Sequence, residues 1–305
     1  MSKTALLFAG QGAQVVGMGK DLAGIFPSAK VWFDHANTAL GYDLSSICFN
    51  GPETELTKTE HAQPGIFLVS WVAFQLLKEQ VPNLKFEATA GLSLGEFMAL
   101  TAADAMGFED GLHVVRQRGK FMQEACDATR GGMAAIIGLD EVPTREVCAE
   151  AGVVLANLNC PGQLVISGEV EKIAKACELA KAKGAKRALP LPVAGAYHSP
   201  LMASAQPKLG AELAKINLVS PTVPVIANVT AQAHGADISA KLVEQVCASV
   251  LWENSMRALL AQGFTRFIEL GPGAALSGFM KRIDKNAQML NVADAASLEA
   301  TVKNL

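Results

Sequence analysis

Residues 91–95 read Gly91-Leu92-Ser93-Leu94-Gly95, a G-x-S-x-G sequence. Set between a strand and a helix, this is a nucleophile elbow, with the serine on a sharp turn. The glycines permit the turn and the close approach of neighbouring backbone. The free N–H groups at the start of the helix then face a developing oxyanion. The same residues allow a plainer use. Ser93-Leu94-Gly95-Glu96 fits S-x-x-E, a helix capping box in which the serine only begins a helix. Both uses stay open at this level.

A serine hydroxyl needs a base, and histidine is the usual one. The histidines are 35, 61, 113, 198 and 234. His198 lies in Gly195-Ala196-Tyr197-His198-Ser199-Pro200, a turn bounded by Gly and Pro, the kind of loop that presents catalytic groups. His61, in a polar loop, is its nearest rival. His35 and His113 fall in helical patterns, and His234 in another polar loop. Arg118 lies on an apolar helix face with Val114, Val115 and Met122. A buried arginine needs an anion, and losing it costs about 3–5 kcal/mol. That anion is either an internal Asp or Glu or a substrate carboxylate held by both guanidinium nitrogens. Gly10-Gln11-Gly12-Ala13-Gln14 follows the first strand and either presents backbone N–H groups or simply turns. With Val15 in the last fingerprint position it is not G-x-G-x-x-G. With no G-K-[ST] after it, it is not a Walker loop either.

The elements that must hold these groups alternate. Thr4–Ala9 reads as a buried strand, 65–80 as a helix apolar almost all round, 86–91 as a strand, and 94–103 and 109–128 as helices. That rhythm predicts an α/β fold with a mainly parallel sheet. The middle changes. Strands at 133–138, 153–158, 163–168 and 186–191 and helices at 143–151 and 169–183 give β-α-β-β-α-β, the ferredoxin-like split unit. Residues 159–162 read as the turn inside it. Further on come helices at 199–213, 241–251, 253–262 and 275–283 and strands at 223–228 and 264–270. The predicted organisation is a large core of 1–129 and 195–305 with a small subdomain, 130–194, inserted in it.

Composition narrows the class. Half of the 305 residues are hydrophobic and 18% are charged, too apolar for a disordered chain. The net charge of −3 offers no basic field for nucleic acid. The uncharged stretches 61–77, 188–207 and 216–236 are all broken by Pro, Gln or Asn, so no membrane span is expected. Residues 5–9 are too short for a secretory apolar region. The six cysteines contain no C-x-x-C pair, which fits reduced thiols in a cytoplasmic enzyme better than a zinc site.

Together these motifs resemble the malonyl-CoA:acyl carrier protein transacylases of fatty acid synthesis. The likeness runs nearly end to end: FAGQGAQVVGMG at 8–19, Gln63-Pro64 at a helix start, GLSLGE at 91–96, RQRGKFMQEA at 116–125, NCPGQLVISG at 159–168, GAYHSPLM at 195–202 and ELGPGAALSG at 269–278. It implies an α/β-hydrolase-like core with an inserted ferredoxin-like unit. Ser93 would be the acylated nucleophile and His198 its base. Backbone N–H groups of Gln11 and Leu94 would form the oxyanion hole. Arg118 would bind the malonyl carboxylate, with Gln63, Asn159, Met122 and Tyr197 lining the site. The carbonyl that orients the catalytic histidine would belong to Leu251, before Trp252, where many members have Gln. Leu92 stands where many have His, an interchangeable place in the elbow. Tyr197 replaces the commoner Phe.

The resemblance implies transfer of malonyl from malonyl-CoA to the phosphopantetheine thiol of acyl carrier protein through a malonyl-serine, without metal or cofactor. A trans-acting polyketide acyltransferase shares the residues. A serine thioesterase or other hydrolase shares the elbow but lacks the RQRGK and GAYHSPLM segments. Acidic carrier proteins suit the basic run Lys172, Lys175, Lys181, Lys183, Lys186 and Arg187, opposed between 172 and 187 only by Glu178. The docking expectation centres on Lys181, Lys183, Lys186 and Arg187. A solvated helix face explains the same run.

Overall fold

The computed structural model describes residues 3–305. Among them, nine strands form two sheets: β1 (Lys3–Phe8), β2 (Ala88–Gly91), β3 (Gly131–Ile137), β4 (Val154–Cys160), β5 (Gln163–Glu169), β6 (Arg187–Pro190), β7 (Val225–Ile226), β8 (Phe264–Leu270) and β9 (Gln288–Val292). The first sheet is parallel throughout, in the order β7-β2-β1-β8-β9. β1 is a continuous apolar run because both of its faces are covered. Leu6, Phe8, Ile268 and Leu270 join one core with Phe67, Val69, Leu112 and Val115 of helices Thr59–Gln80 and Phe108–Asp127. Ala5, Leu7, Ala90 and Phe267 point the other way, onto Trp252, Met256, Leu276 and Met280. The period of two divides the strand between two cores. Each large side chain so buried contributes roughly 1.5–3 kcal/mol.

Register sets where the site falls. Phe8 stands opposite Gly91 of β2 and Leu270 of β8. The loops after β1, β2 and β8 therefore leave the same edge side by side. This is the carboxyl end of a parallel sheet, where such folds bind ligands.

The second sheet is antiparallel, in the order β4-β5-β3-β6, which is the split β-α-β arrangement. Helices Glu141–Ala151 and Val170–Ala182 cover one face through Val147, Cys148, Ile173, Ala176 and Ala180, packed on Ala134, Ile136 and Ile166. Residues of the opposite face, Met133, Ala156 and Val165, belong to the large core.

Several elements differ from the sequence reading. The helix expected to start at Gly65 starts at Thr59 and carries Pro64 inside it. Pro64 removes one backbone donor early in the helix. The burial of Ala62 to Val69 against the core outweighs that loss. The helix expected over 241–251 is Ile238–Gln245 and stops well short of Leu251. Asn159 lies in β4, and the turn that comes after it is only Pro161-Gly162, with Gly162 at φ +66°. Helices between residues 20 and 56, strand β9 and the helix Ala295–Lys303 have no counterpart in the sequence reading. The six cysteines are all unpaired. Among the described residues, no helix is long and apolar enough to cross a membrane.

Candidate active site

Ser93 links β2 to the helix Leu94–Ala102 and sits at φ 53°, ψ −103°. That positive-φ conformation is costly for a residue with a side chain and holds only when its surroundings impose it. They do so at close quarters. A Cβ on Gly91 would lie 1.9 Å from the Gly95 carbonyl carbon, and one on Gly95 would lie 2.2 Å from the Phe8 carbonyl oxygen. Both glycines of G-x-S-x-G are thus required by space. Asn228 clamps the turn: its Oδ1 accepts the Ser93 N–H at 2.6 Å, and its Nδ2 donates to the Gly91 carbonyl at 2.7 Å. The Ser93 side chain makes no capping bond. Of the two uses open in the sequence, the geometry is that of the elbow.

The Ser93 hydroxyl meets two groups. His198 Nε2 is 2.9 Å from Oγ, and Arg118 Nη2 donates to Oγ at 3.0 Å. His198 Nδ1 is 2.8 Å from the backbone carbonyl of Gln245. A carbonyl can only accept, so the proton belongs on Nδ1 and the lone pair of Nε2 faces Oγ. The rival His61 hydrogen-bonds the Glu55 carbonyl instead.

The expected role of Leu251 is corrected here. Its carbonyl accepts from Ser255 N at 2.9 Å and Ser255 Oγ at 2.8 Å, within the next helix. The histidine takes the carbonyl of Gln245 because the helix Ile238–Gln245 ends there, and a helix's last carbonyls lack partners within it. Gln245 is the residue that sequence reasoning missed. The available signal was a glutamine seven residues before Trp252, not one place before it.

Burial and the Arg118 charge push the His198 pKa down from 6.5 to about 4, while backbone carbonyls of Gln245 and Ala248 pull it up. The neutral base is therefore present at pH 7 and is lost only as pH falls through about 4. In a profile of kcat/KM against pH, the acid limb assigned to His198 is expected near pH 4. A limb near 6.5 would contradict the burial and charge seen around the ring.

Arg118 projects from the helix Phe108–Asp127 and is 1% exposed. Nη1 donates to Gln63 Oε1 at 2.7 Å, and Nη2 also donates to Gln245 Oε1 at 2.9 Å. Its guanidinium carbon lies 5.4 Å from the Phe97 ring centroid. Among the described residues no carboxylate is within salt-bridge distance of it. Burial lowers its pKa to about 10, with Glu96 the main opposing influence. The guanidinium is still charged at neutral pH, held by neutral amides. The internal ion pair that the sequence left open is not formed.

A cleft of about 750 Å³ opens over Ser93, with Gln11, Met122, Asn159, Tyr197 and His198 on its wall. Arg118 and Gln63 are not on that wall; Arg118 meets it at the Ser93 hydroxyl. Met133, Asn157 and Val165 close the cleft from the second sheet. Gln63 Nε2 donates to Gln11 Oε1 at 3.4 Å, and Gln11 Nε2 to Tyr197 OH at 3.3 Å. The Tyr197 hydroxyl is 2.7 Å from Thr59 Oγ1. Asn159 Oδ1 is buried and has no hydrogen-bond partner among the described residues.

The Gln11 loop is held against the elbow: a Cβ on Gly10 would lie 2.4 Å from the Leu92 carbonyl oxygen. Gly12 N–H is taken by Gln14 Oε1 at 2.7 Å. The N–H groups of Gln11 and Leu94 find no acceptor among the described residues. Leu94 is the first residue of its helix, where such donors are free. Among the described residues no three His, Cys, Asp or Glu side chains are grouped to hold a metal ion. The set can deliver a serine nucleophile, a neutral base, free N–H donors for an oxyanion and a buried cation beside the reacting atom.

Comparison with known proteins agrees. The family model of the acyl transferase domain matches residues 5–300. The chain is 45% identical to the malonyl CoA-acyl carrier protein transacylase of Bacillus subtilis (strain 168) over 312 aligned positions, covering 100% of this chain and 98% of that protein. It is 43% identical to the protein of the same description from Escherichia coli (strain K12), over 93% of each. Among solved structures, a malonyl-transacylase in complex with a type II PKS acyl-carrier protein matches at TM-score 0.96 and 38% identity, over 100% of both chains.

Proposed function

The chain belongs to the acyl transferase domain family, and we infer from that premise that it moves a malonyl group from malonyl-CoA to the phosphopantetheine thiol of acyl carrier protein in fatty acid synthesis. The observation that carries the reading is Arg118: a buried guanidinium without an ionic partner among the described residues, 3.0 Å from the Ser93 hydroxyl. A substrate carboxylate supplies what it lacks.

Ser93 Oγ attacks the thioester carbonyl as His198 Nε2 takes its proton. The oxyanion forms against the Gln11 and Leu94 N–H groups. The C–S bond breaks, the CoA sulfur takes the proton from His198, and malonyl-Ser93 ester remains. The carrier's thiol then gives its proton to His198 and attacks the ester. Collapse of the second tetrahedral intermediate returns the proton to Ser93 Oγ and releases malonyl-carrier. Gln63, Met122, Asn159 and Tyr197 shape the acyl pocket. The route draws on no metal or cofactor, and the enzyme is read as cytoplasmic. The small unit, 130–194, acts as the second wall of a cleft whose chemistry sits in 1–129 and 195–305.

Mixed with malonyl-CoA and holo-carrier, the protein is expected to yield malonyl-carrier quickly and free malonate slowly. Malonate released at the same rate with and without carrier would mark a hydrolase instead. A second reading, a polyketide carrier as acceptor, is favoured by the nature of the similar complex. Comparing kcat/KM for the two kinds of holo-carrier decides between them.

For carrier docking the basic run is smaller than its sequence suggests. Lys172 pairs with Glu169 at 2.8 Å and Lys183 with Glu146 at 2.6 Å. Lys181, Lys186 and Arg187 form no salt bridge among the described residues, and Lys181 and Arg187 are exposed. We place docking on these three, with the charge of Lys183 already answered. Lys181→Glu with Lys186→Glu is expected to raise KM for carrier about tenfold and leave KM for malonyl-CoA unchanged. Equal changes in both would remove this surface from the account.

A further inference from the structure

One of the two uses that the sequence left open makes Glu96 half of a capping box, yet it caps nothing. It is 0% exposed, within the first turn of the helix Leu94–Ala102. Oε2 accepts from Asn228 N at 3.0 Å and Gln245 Nε2 at 2.7 Å, and Oε1 is 2.7 Å from His234 Nε2. Gln245, also 0% exposed, carries the chain onward: Nε2 donates to the Ser93 carbonyl at 3.0 Å, and Oε1 accepts from Arg118 Nη2 at 2.9 Å.

We propose that Glu96 is a positioning residue, the resident counter-charge of Arg118, and that the Gln245 amide is the spacer that keeps this carboxylate off the guanidinium so that a substrate carboxylate can take it. The inference rests on the proposed function, in which the transferred acyl group is acidic.

The chemistry of the groups fixes the relay. An amide has one donating and one accepting end. A carboxylate takes only the donating end, so Gln245 Oε1 must face Arg118. The reverse orientation would set an NH₂ against a guanidinium. A carboxylate in direct contact would satisfy Arg118 completely and leave a malonyl group nothing to gain. With no counter-charge nearby, a buried guanidinium would be expensive in the free enzyme. A neutral carbonyl in contact and a negative charge one residue behind it meet both needs. The result is a cation that is ordered and still short of a partner.

The test exchanges the two groups. The double variant Glu96→Gln/Gln245→Glu keeps volume and net charge and keeps the backbone carbonyl that receives His198 Nδ1. It moves the carboxylate onto Arg118. Acyl-serine formation is followed with malonyl-CoA and acetyl-CoA, and folding by Tm. The malonyl-to-acetyl ratio of kcat/KM is expected to fall by about tenfold or more, the scale of one hydrogen bond to a charged group, through KM for malonyl-CoA. An unchanged ratio, or an equal loss with both substrates, would overturn the proposal. If the double variant does not fold, Gln245→Met decides. It removes the relay and keeps the backbone carbonyl; the same fall in ratio supports the proposal, and an unchanged ratio overturns it. Wild-type protein that forms no malonyl ester would count against the proposed function, not against the relay.

Discussion

Ser93→Ala is expected to lower malonyl transfer by a factor on the order of 10⁴ or more, because the nucleophile and the covalent intermediate vanish together. The loss should be in kcat. The cleft, the free N–H groups and Arg118 remain, so malonyl-CoA should still bind. Stability should change little. The Ser93 side chain gives the fold no cap, and the strained backbone at φ 53° is held by Asn228 through main-chain groups that alanine retains. A steady-state rate and a melting curve on the same preparation check both halves. A variant keeping a tenth of wild-type turnover would mean that another residue carries the acyl group.

Arg118→Ala is the second large effect. Malonyl kcat/KM is expected to fall on the order of 10³-fold, as a carboxylate is left beside Ser93 with no cation to receive it. Acetyl transfer should fall far less, since an acetyl group itself makes no use of the guanidinium and only Ser93 Oγ loses that donor. The preference between the two substrates should shrink toward unity, and acetyl turnover also reports that the site is still folded. The variant strands the Gln63 and Gln245 carbonyls that Arg118 now satisfies, so a fall in Tm should accompany it. Lysine at 118 should recover only part of the preference. It carries the charge as a point and cannot span Gln63, Gln245 and a substrate with a planar fork. An alanine variant with wild-type preference for malonyl would remove Arg118 from carboxylate recognition.

The residues that could be read from the sequence are those whose type has few uses. Gly91 and Gly95 are forced by backbone contacts that no side chain allows, so the elbow shows in the string itself. The strands and helices of the middle segment show as short apolar runs and helical patterns between turn residues, because its sheet packs one face on its own helices and the other on the large core. Arg118 stands out because a cation on an apolar face needs explaining. Gln245 carries no such mark. It is a polar residue at the end of a short helix, and its importance comes from the fold bringing that helix end to His198, 47 residues away in the chain. Leu251 attracts the histidine role only by its place beside Trp252, a local cue with no bearing on where a helix stops. Glu96 misleads for the opposite reason. Its spacing from Ser93 matches a local cap, and only the packing of Asn228, His234 and Gln245 around it turns its carboxylate inward. The helix through Pro64 reads too short in the sequence because propensity cannot weigh the core that a helix start will bury.

The mechanism turns on a covalent malonyl-serine chosen by a buried arginine. Intact-protein mass after brief mixing with malonyl-CoA, and separately with acetyl-CoA, reads out both the adduct and the choice. A single malonyl adduct is expected on wild-type protein, mapped to the peptide holding Ser93 and absent from Ser93→Ala, with far less adduct from acetyl-CoA. An adduct on another residue, or equal labelling by both thioesters, would contradict it.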